Sequence, residues 1–129
     1  MDIKVGDFIR TKKGIIGKLK RIELDEIDKN LKWYVFDKKR PDMNIIDEIY
    51  INKPYITKYS KNLIDLIEVG DYVNGEKVIE VHLDLGYVFV DKETELGTKT
   101  FCDYQIETIL THEQMEENQY VVKRNMETN

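Results

Sequence analysis

Apolar and polar residues alternate along most of this chain in short runs, each broken by glycine, asparagine or a cluster of charges. That pattern predicts half-buried β-strands. Asp7-Phe8-Ile9-Arg10-Thr11 reads as a first strand, turning through Lys12-Lys13-Gly14 into a longer strand over residues 15–23. Gly14 supplies a positive φ for that turn, and Gly17 suits a bulge or a close backbone approach. A polar loop over 25–30 precedes a strand over 33–37, and residues 38–42 read as an exposed turn in which Pro41 breaks the ladder. Strands over 45–51 and 55–58 complete five short elements, the number and spacing of a small barrel.

The first motif then returns. Ile3-Lys4-Val5-Gly6-Asp7-Phe8-Ile9 matches Ile67-Glu68-Val69-Gly70-Asp71-Tyr72-Val73, 64 positions later. Trp33-Tyr34-Val35-Phe36-Asp37-Lys38 has a counterpart in Tyr87-Val88-Phe89-Val90-Asp91-Lys92, so the resemblance outlasts the motif. The expected organisation is two small units, 1–62 and 63–122, joined near residues 60–66 through one helical turn, with 123–129 as a frayed tail. In the second unit Asn74-Gly75 is a two-residue hairpin signal replacing the longer first-unit turn. Strands are expected over 77–83, 87–91 and 99–103, with a polar loop over 91–97. Thr111-His112-Glu113-Gln114 has capping-box spacing and predicts one short helix over 111–117, and 120–122 reads as a last strand.

Composition supports strands: the chain is 41% apolar and contains no alanine, with Ile, Val and Tyr prominent. No run of 18 apolar residues is present, and Met1-Asp2-Ile3-Lys4 is charged from the start, which leads to the expectation of a soluble, cytoplasmic protein. Cys102 is the single cysteine, so no intramolecular disulfide forms. The net charge of −5 conceals a division. Residues 1–62 carry 15 Lys/Arg against 10 Asp/Glu, a net of +5, whereas 63–129 carry 5 against 15, a net of −10. Such a division suits either docking between the halves or recognition of charged partners.

Val5-Gly6-Asp7-Phe8-Ile9, followed by Gly14, Gly17, Leu19 and Ile22, resembles the opening of KOW-type and other SH3-like barrels. The resemblance implies a mostly β protein of two tandem small SH3-like barrels with one short C-terminal helix. The stretch from Tyr59 to Gly75, with Ile109-Leu110-Thr111-His112-Glu113-Gln114-Met115, is similar to small uncharacterised proteins of phages and prophages of low-GC Gram-positive bacteria. That similarity implies a non-enzymatic inhibitor of a host defence complex, of the anti-CRISPR kind.

No set of residues has the spacing of a catalytic, metal or cofactor site, and the expectation is that there is none. His82 falls in a strand, His112 at a helix cap, and Cys102 between Phe101 and Asp103. Gly14 and Gly17 lack the following helix that a phosphate loop requires. Two binding surfaces remain. Arg10, Lys12, Lys13, Lys18, Lys20 and Arg21, with Trp33, Tyr34 and Phe36 as stacking groups, would suit nucleic acid. Against this, alternation places the lysines on a solvated face, and Glu23, Asp25, Glu26 and Asp28 interrupt the basic track. Glu93, Glu95, Glu107, Glu116 and Glu117, with Asp84, Asp91 and Asp103, would present a negative face to a basic protein or ribonucleoprotein. A phage structural or assembly component is the third possibility, since strand edges can pair between copies.

Overall fold

Among the described residues, ten strands pair into two antiparallel sheets that follow one plan. A computed structural model describes residues 2–40 and 45–117. In the first unit β1 (Phe8–Thr11), β2 (Ile16–Leu24), β3 (Lys32–Arg40), β4 (Ile45–Ile51) and β5 (Ile56–Ser60) lie in the order β4-β3-β2-β1-β5. In the second, β6 (Tyr72–Val73), β7 (Glu76–His82), β8 (Tyr87–Thr94), β9 (Gly97–Cys102) and β10 (Ile109–Leu110) lie in the order β10-β6-β7-β8-β9. Read from β9, the second order is the first one repeated. A 3-10 turn precedes the last strand in each unit, Lys53–Tyr55 and Asp103–Gln105, and another, Leu63–Leu66, links the units. The helix α1 (His112–Glu117) closes the described chain.

The repeat extends to individual hydrogen bonds. Gly6 and Gly70 adopt φ of 95° and 97°. Each allows the following aspartate to turn back: Asp7 Oδ2 accepts from the Lys4 amide at 2.9 Å and Asp71 Oδ2 from the Glu68 amide at 2.8 Å. The register then breaks once in each second strand, between Leu19 and Arg21 and between Val78 and Glu80, where a bulge bends the sheet. The same curvature is therefore encoded twice.

Each unit has its own core. Ile9, Leu19, Tyr34 and Phe36 are buried in the first, and Ile67, Val73, Val78, Val88, Val90 and Phe101 in the second. Gly17 is required here by close approach, since a Cβ at that position would lie 2.1 Å from the Phe36 ring. Asn74 and Gly75 both adopt positive φ, 52° and 82°, as a two-residue hairpin demands.

Several expectations need correction. Strand β3 runs through Lys38 and Lys39 to Arg40, paired with β4, where an exposed turn was expected; Pro41 lies outside the described residues. The anticipated polar loop over 91–97 is mostly strand: β8 continues to Thr94 and turns tightly into β9, with Thr94 opposite Gly97. Strand β10, which pairs with β6, was not foreseen. The sheets are open rather than closed barrels, because among the described residues no pairing joins β4 to β5 or β9 to β10. The strand expected over 120–122 and the frayed tail over 123–129 fall outside the described residues.

Candidate functional site

The most developed polar constellation lies where the two units meet, and it is built around Arg10. Alternation along β1 turns Ile9 into the first core and sends Arg10 the other way, toward the second unit. Its side chain is completely buried. Nη1 donates to Asp71 Oδ2 at 2.5 Å and to the Leu66 carbonyl at 2.9 Å, and Nη2 donates to Asp71 Oδ1 at 2.9 Å and to Glu113 Oε1. Nε lies 3.6 Å from Glu68 Oε2, within ion-pair but not hydrogen-bond reach. Burial alone would lower the Arg10 pKa, but the carboxylates of Asp71 and Glu113 outweigh it and hold the guanidinium more firmly protonated than usual.

The turn from Glu68 to Asp71 presents the other half. Asp71, also fully buried, takes the His112 amide on Oδ1 at 2.9 Å in addition to the Glu68 amide and the guanidinium. A second contact pins the helix start: Thr111 Oγ1 donates to the Gly14 carbonyl at 2.7 Å. Gly14 has φ of 79°, and a Cβ there would fall 2.2 Å from that hydroxyl oxygen, so turn geometry and close approach both demand glycine.

His112 Nε2 lies 2.9 Å from Glu68 Oε1 and 3.4 Å from Glu113 Oε1. Hydrogen bonding to Glu68 raises the His112 pKa. Burial pushes the Glu68 carboxyl upward, but His112, Arg10 and Lys58 together bring it below its ordinary value. Glu68, His112 and Glu113 offer one donor atom each within 4.8 Å of one another. The Arg10 guanidinium contacts both carboxylates, which ties this set into an ion-pair network.

The basic set expected to meet nucleic acid is dispersed. Arg10 is sealed in the seam, and Tyr34 and Phe36 are core residues, so none of the three presents a surface to a nucleotide. Arg21 is held by Glu23 and Glu48, with Tyr50 Oη at 2.8 Å, while Lys20 is held by Asp37 at 2.9 Å and by Glu48. Trp33 Nε1 donates to Asp25 Oδ1 at 3.0 Å, and its ring meets Tyr50 edge-on at 6.5 Å. Lys12 and Lys18 lie over the Tyr55 and Phe8 rings at 5.6 and 5.8 Å. Lys13 is exposed.

The acidic set is exposed throughout, but topology separates it into groups. Glu93 lies near the end of β8, opposite Thr98, Glu95 is in the β8–β9 turn, and Glu107 stands beside the Asn74–Gly75 turn, where Asn74 Oδ1 accepts the Glu107 amide at 2.8 Å. Antiparallel pairing through β7 puts these turns at the same end of the second sheet. Asp91 lies farther back on β8. Glu116 and Glu117 follow β10 at its other end, on α1. Asp84 belongs to the β7–β8 turn, and Asp103 is tied down by accepting the Ile64 amide at 2.9 Å.

His82 lies 5.5 and 5.1 Å from the Tyr87 and Phe89 rings, and Cys102 contacts Gln105 at the end of β9, whereas the ring of His112 contacts Glu68 and Glu113. A recess of about 270 Å³, lined in part by Ile16, Lys38, Lys39, Ile109 and Thr111, borders the seam. The Arg10–Asp71 pair escaped the sequence reading, although the motif repeat and the opposite charges of the halves were its available signals. No protein-family model, curated protein or solved structure matches this chain.

Proposed function

We propose that this chain is a non-enzymatic, phage-type binding protein, a stoichiometric inhibitor of a host defence complex that handles nucleic acid. It would act in the bacterial cytoplasm by covering a basic protein or ribonucleoprotein surface. One observation carries the choice of surface. Arg10, Lys20 and Arg21 of the basic set are engaged by carboxylates, which leaves Lys12, Lys13 and Lys18 as its cations without a carboxylate partner, whereas none of Glu93, Glu95, Glu107, Glu116 and Glu117 has a cation partner among the described residues. Unpaired exposed charge steers encounter with a complementary partner, while paired charge contributes little to it. The shared strand order, the twofold bulge and the 3-10 turn before each last strand support reading the units as SH3-like folds.

The decisive experiment is affinity capture from host lysate with and without nuclease, followed by charge reversal. Capture of a protein partner that survives nuclease, with association slowed by Glu93→Lys, Glu95→Lys and Glu107→Lys together, supports the proposal. Direct binding to DNA or RNA that weakens steeply with salt, and is abolished by Lys12→Glu, Lys13→Glu and Lys18→Glu, refutes it in favour of a nucleic-acid-binding barrel.

A further inference from the structure

The formal charges that meet at the seam balance in only one protonation state. Glu68 and Asp71 come from the turn before β6 and Glu113 from α1, three negative charges in all; Arg10 from β1 and Lys58 from β5 supply two positive ones. The remaining titratable member is His112, the first residue of α1. Its ring lies against Glu68 and Glu113, and its own amide is bonded to Asp71. Lys58 reaches the same Glu68 carboxylate from the other side, with Nζ 3.3 Å from Oε2. A neutral imidazole leaves the network one charge negative, and an imidazolium closes it.

We propose that His112 is a proton-operated fastener between the two units, tightening the seating of α1 and the turn from Glu68 to Asp71 on Arg10 as the solution is acidified. The ring is about one-third exposed, so protons reach it without unfolding. The sign follows from linkage. A histidine whose pKa is raised in the folded state contributes stability fully below its unfolded value near 6.5, and loses that contribution as pH rises through the folded value. The network is thus tightest below the unfolded value and loosens as pH rises through the folded one. Arg10 and Asp71 stay paired throughout, so the device modulates the seam rather than separating the units.

The test is an NMR titration of the full chain from pH 5 to 9, following both imidazole rings and the amides of residues 111–115. In the wild type the His112 ring should titrate with a midpoint above 6.5, and the amides of His112 and Met115 should move with that same midpoint. Glu68→Gln should shift the midpoint downward while preserving a hydrogen-bond acceptor beside the ring. His112→Gln should abolish the amide titration, and His82→Gln should leave it unchanged. Exchange of the Met115 amide, normalised to its intrinsic rate, should accelerate severalfold from pH 6 to 8 in the wild type and stay flat in His112→Gln. A wild-type midpoint at or below 6.5, or helix amides indifferent to the His112 titration, overturns the proposal without reliance on any variant. A midpoint unmoved by Glu68→Gln overturns the assigned pairing.

Discussion

Replacing Arg10 by methionine tests whether the seam holds the two units together. Methionine retains most of the length and apolar stem of arginine while removing every donor. The Leu66 carbonyl and the Asp71 carboxylate, both at buried positions, then lose the guanidinium. Asp71 keeps the amides of Glu68 and His112, so it is not left bare, but it becomes a buried anion without a countercharge. Breaking a buried pair in this way costs about 3–5 kcal/mol. That is a large share of the roughly 5–15 kcal/mol that stabilises an ordinary domain. Glu113→Gln makes the comparison, because that carboxylate is 22% exposed and an amide still accepts from Arg10; it should cost about 1 kcal/mol or less. Adding Asp71→Asn to Arg10→Met should cost less than the sum of the two single changes, with a coupling of about 1–3 kcal/mol. Urea unfolding followed by circular dichroism supplies these values. Because each unit has a separate core, Arg10→Met should also broaden or split the transition and lower the apparent m-value. A loss below about 1 kcal/mol for Arg10→Met, with coupling under about 0.5 kcal/mol, would show that apolar contacts hold the units and refute the central place given to Arg10.

Gly17→Ala forces a methyl group into the Phe36 ring and should cost about 1–3 kcal/mol in thermal or urea unfolding; a neutral result would mean that the strand shifts freely at the bulge. Asn74→Ala removes the side-chain bonds to the Glu107 and Thr108 amides and to the Gln105 carbonyl, and places alanine at a positive φ. A loss of about 2–4 kcal/mol is expected, with the β10 amides exchanging faster than those of β8. Glu68 has a lowered pKa in the folded protein, so its contribution is present above its unfolded value of 4.5 and is lost as pH falls through the folded value. The acid side of the stability profile should therefore be shallower in Glu68→Gln, and an unchanged slope would argue against the His112–Glu68–Arg10 contacts.

Much of the fold was legible because it is written twice. The repeated Gly-Asp motif located β1 and β6, and Asn74-Gly75 marked its hairpin correctly, since that pair readily supplies two consecutive positive φ angles. The strand over 45–51 emerged with the bounds expected. Strand β10 was hidden by its length: Ile109 and Leu110 are too few to show a period, and only pairing with Tyr72 and Val73 makes them a strand. The continuation of β8 through Asp91, Lys92, Glu93 and Thr94 was hidden by composition, because an exposed hairpin can be held by backbone pairing alone. Arg10 shows the deeper limit. Alternation placed it correctly outside the first core, and the usual consequence of that placement is solvent. Here the outside of one unit is the inside of the pair, and nothing local to β1 distinguishes the two.

The two hairpins differ in length, and that difference makes the units unequal at the seam. In the first unit the turn between β1 and β2 is long enough for Gly14 to reach across to Thr111, and β1 extends far enough to carry Arg10 into the next unit. In the second unit the chain reverses at Asn74 and Gly75, directly after Val73, and the position equivalent to Arg10 in the repeat is Asn74 itself. Its side chain folds back onto its own unit, to residues 105–108. Among the described residues the first unit thus has an arm that grips its successor, and in the second unit the equivalent position is spent on an internal contact, so the seam is a one-directional grip that the repeat does not copy.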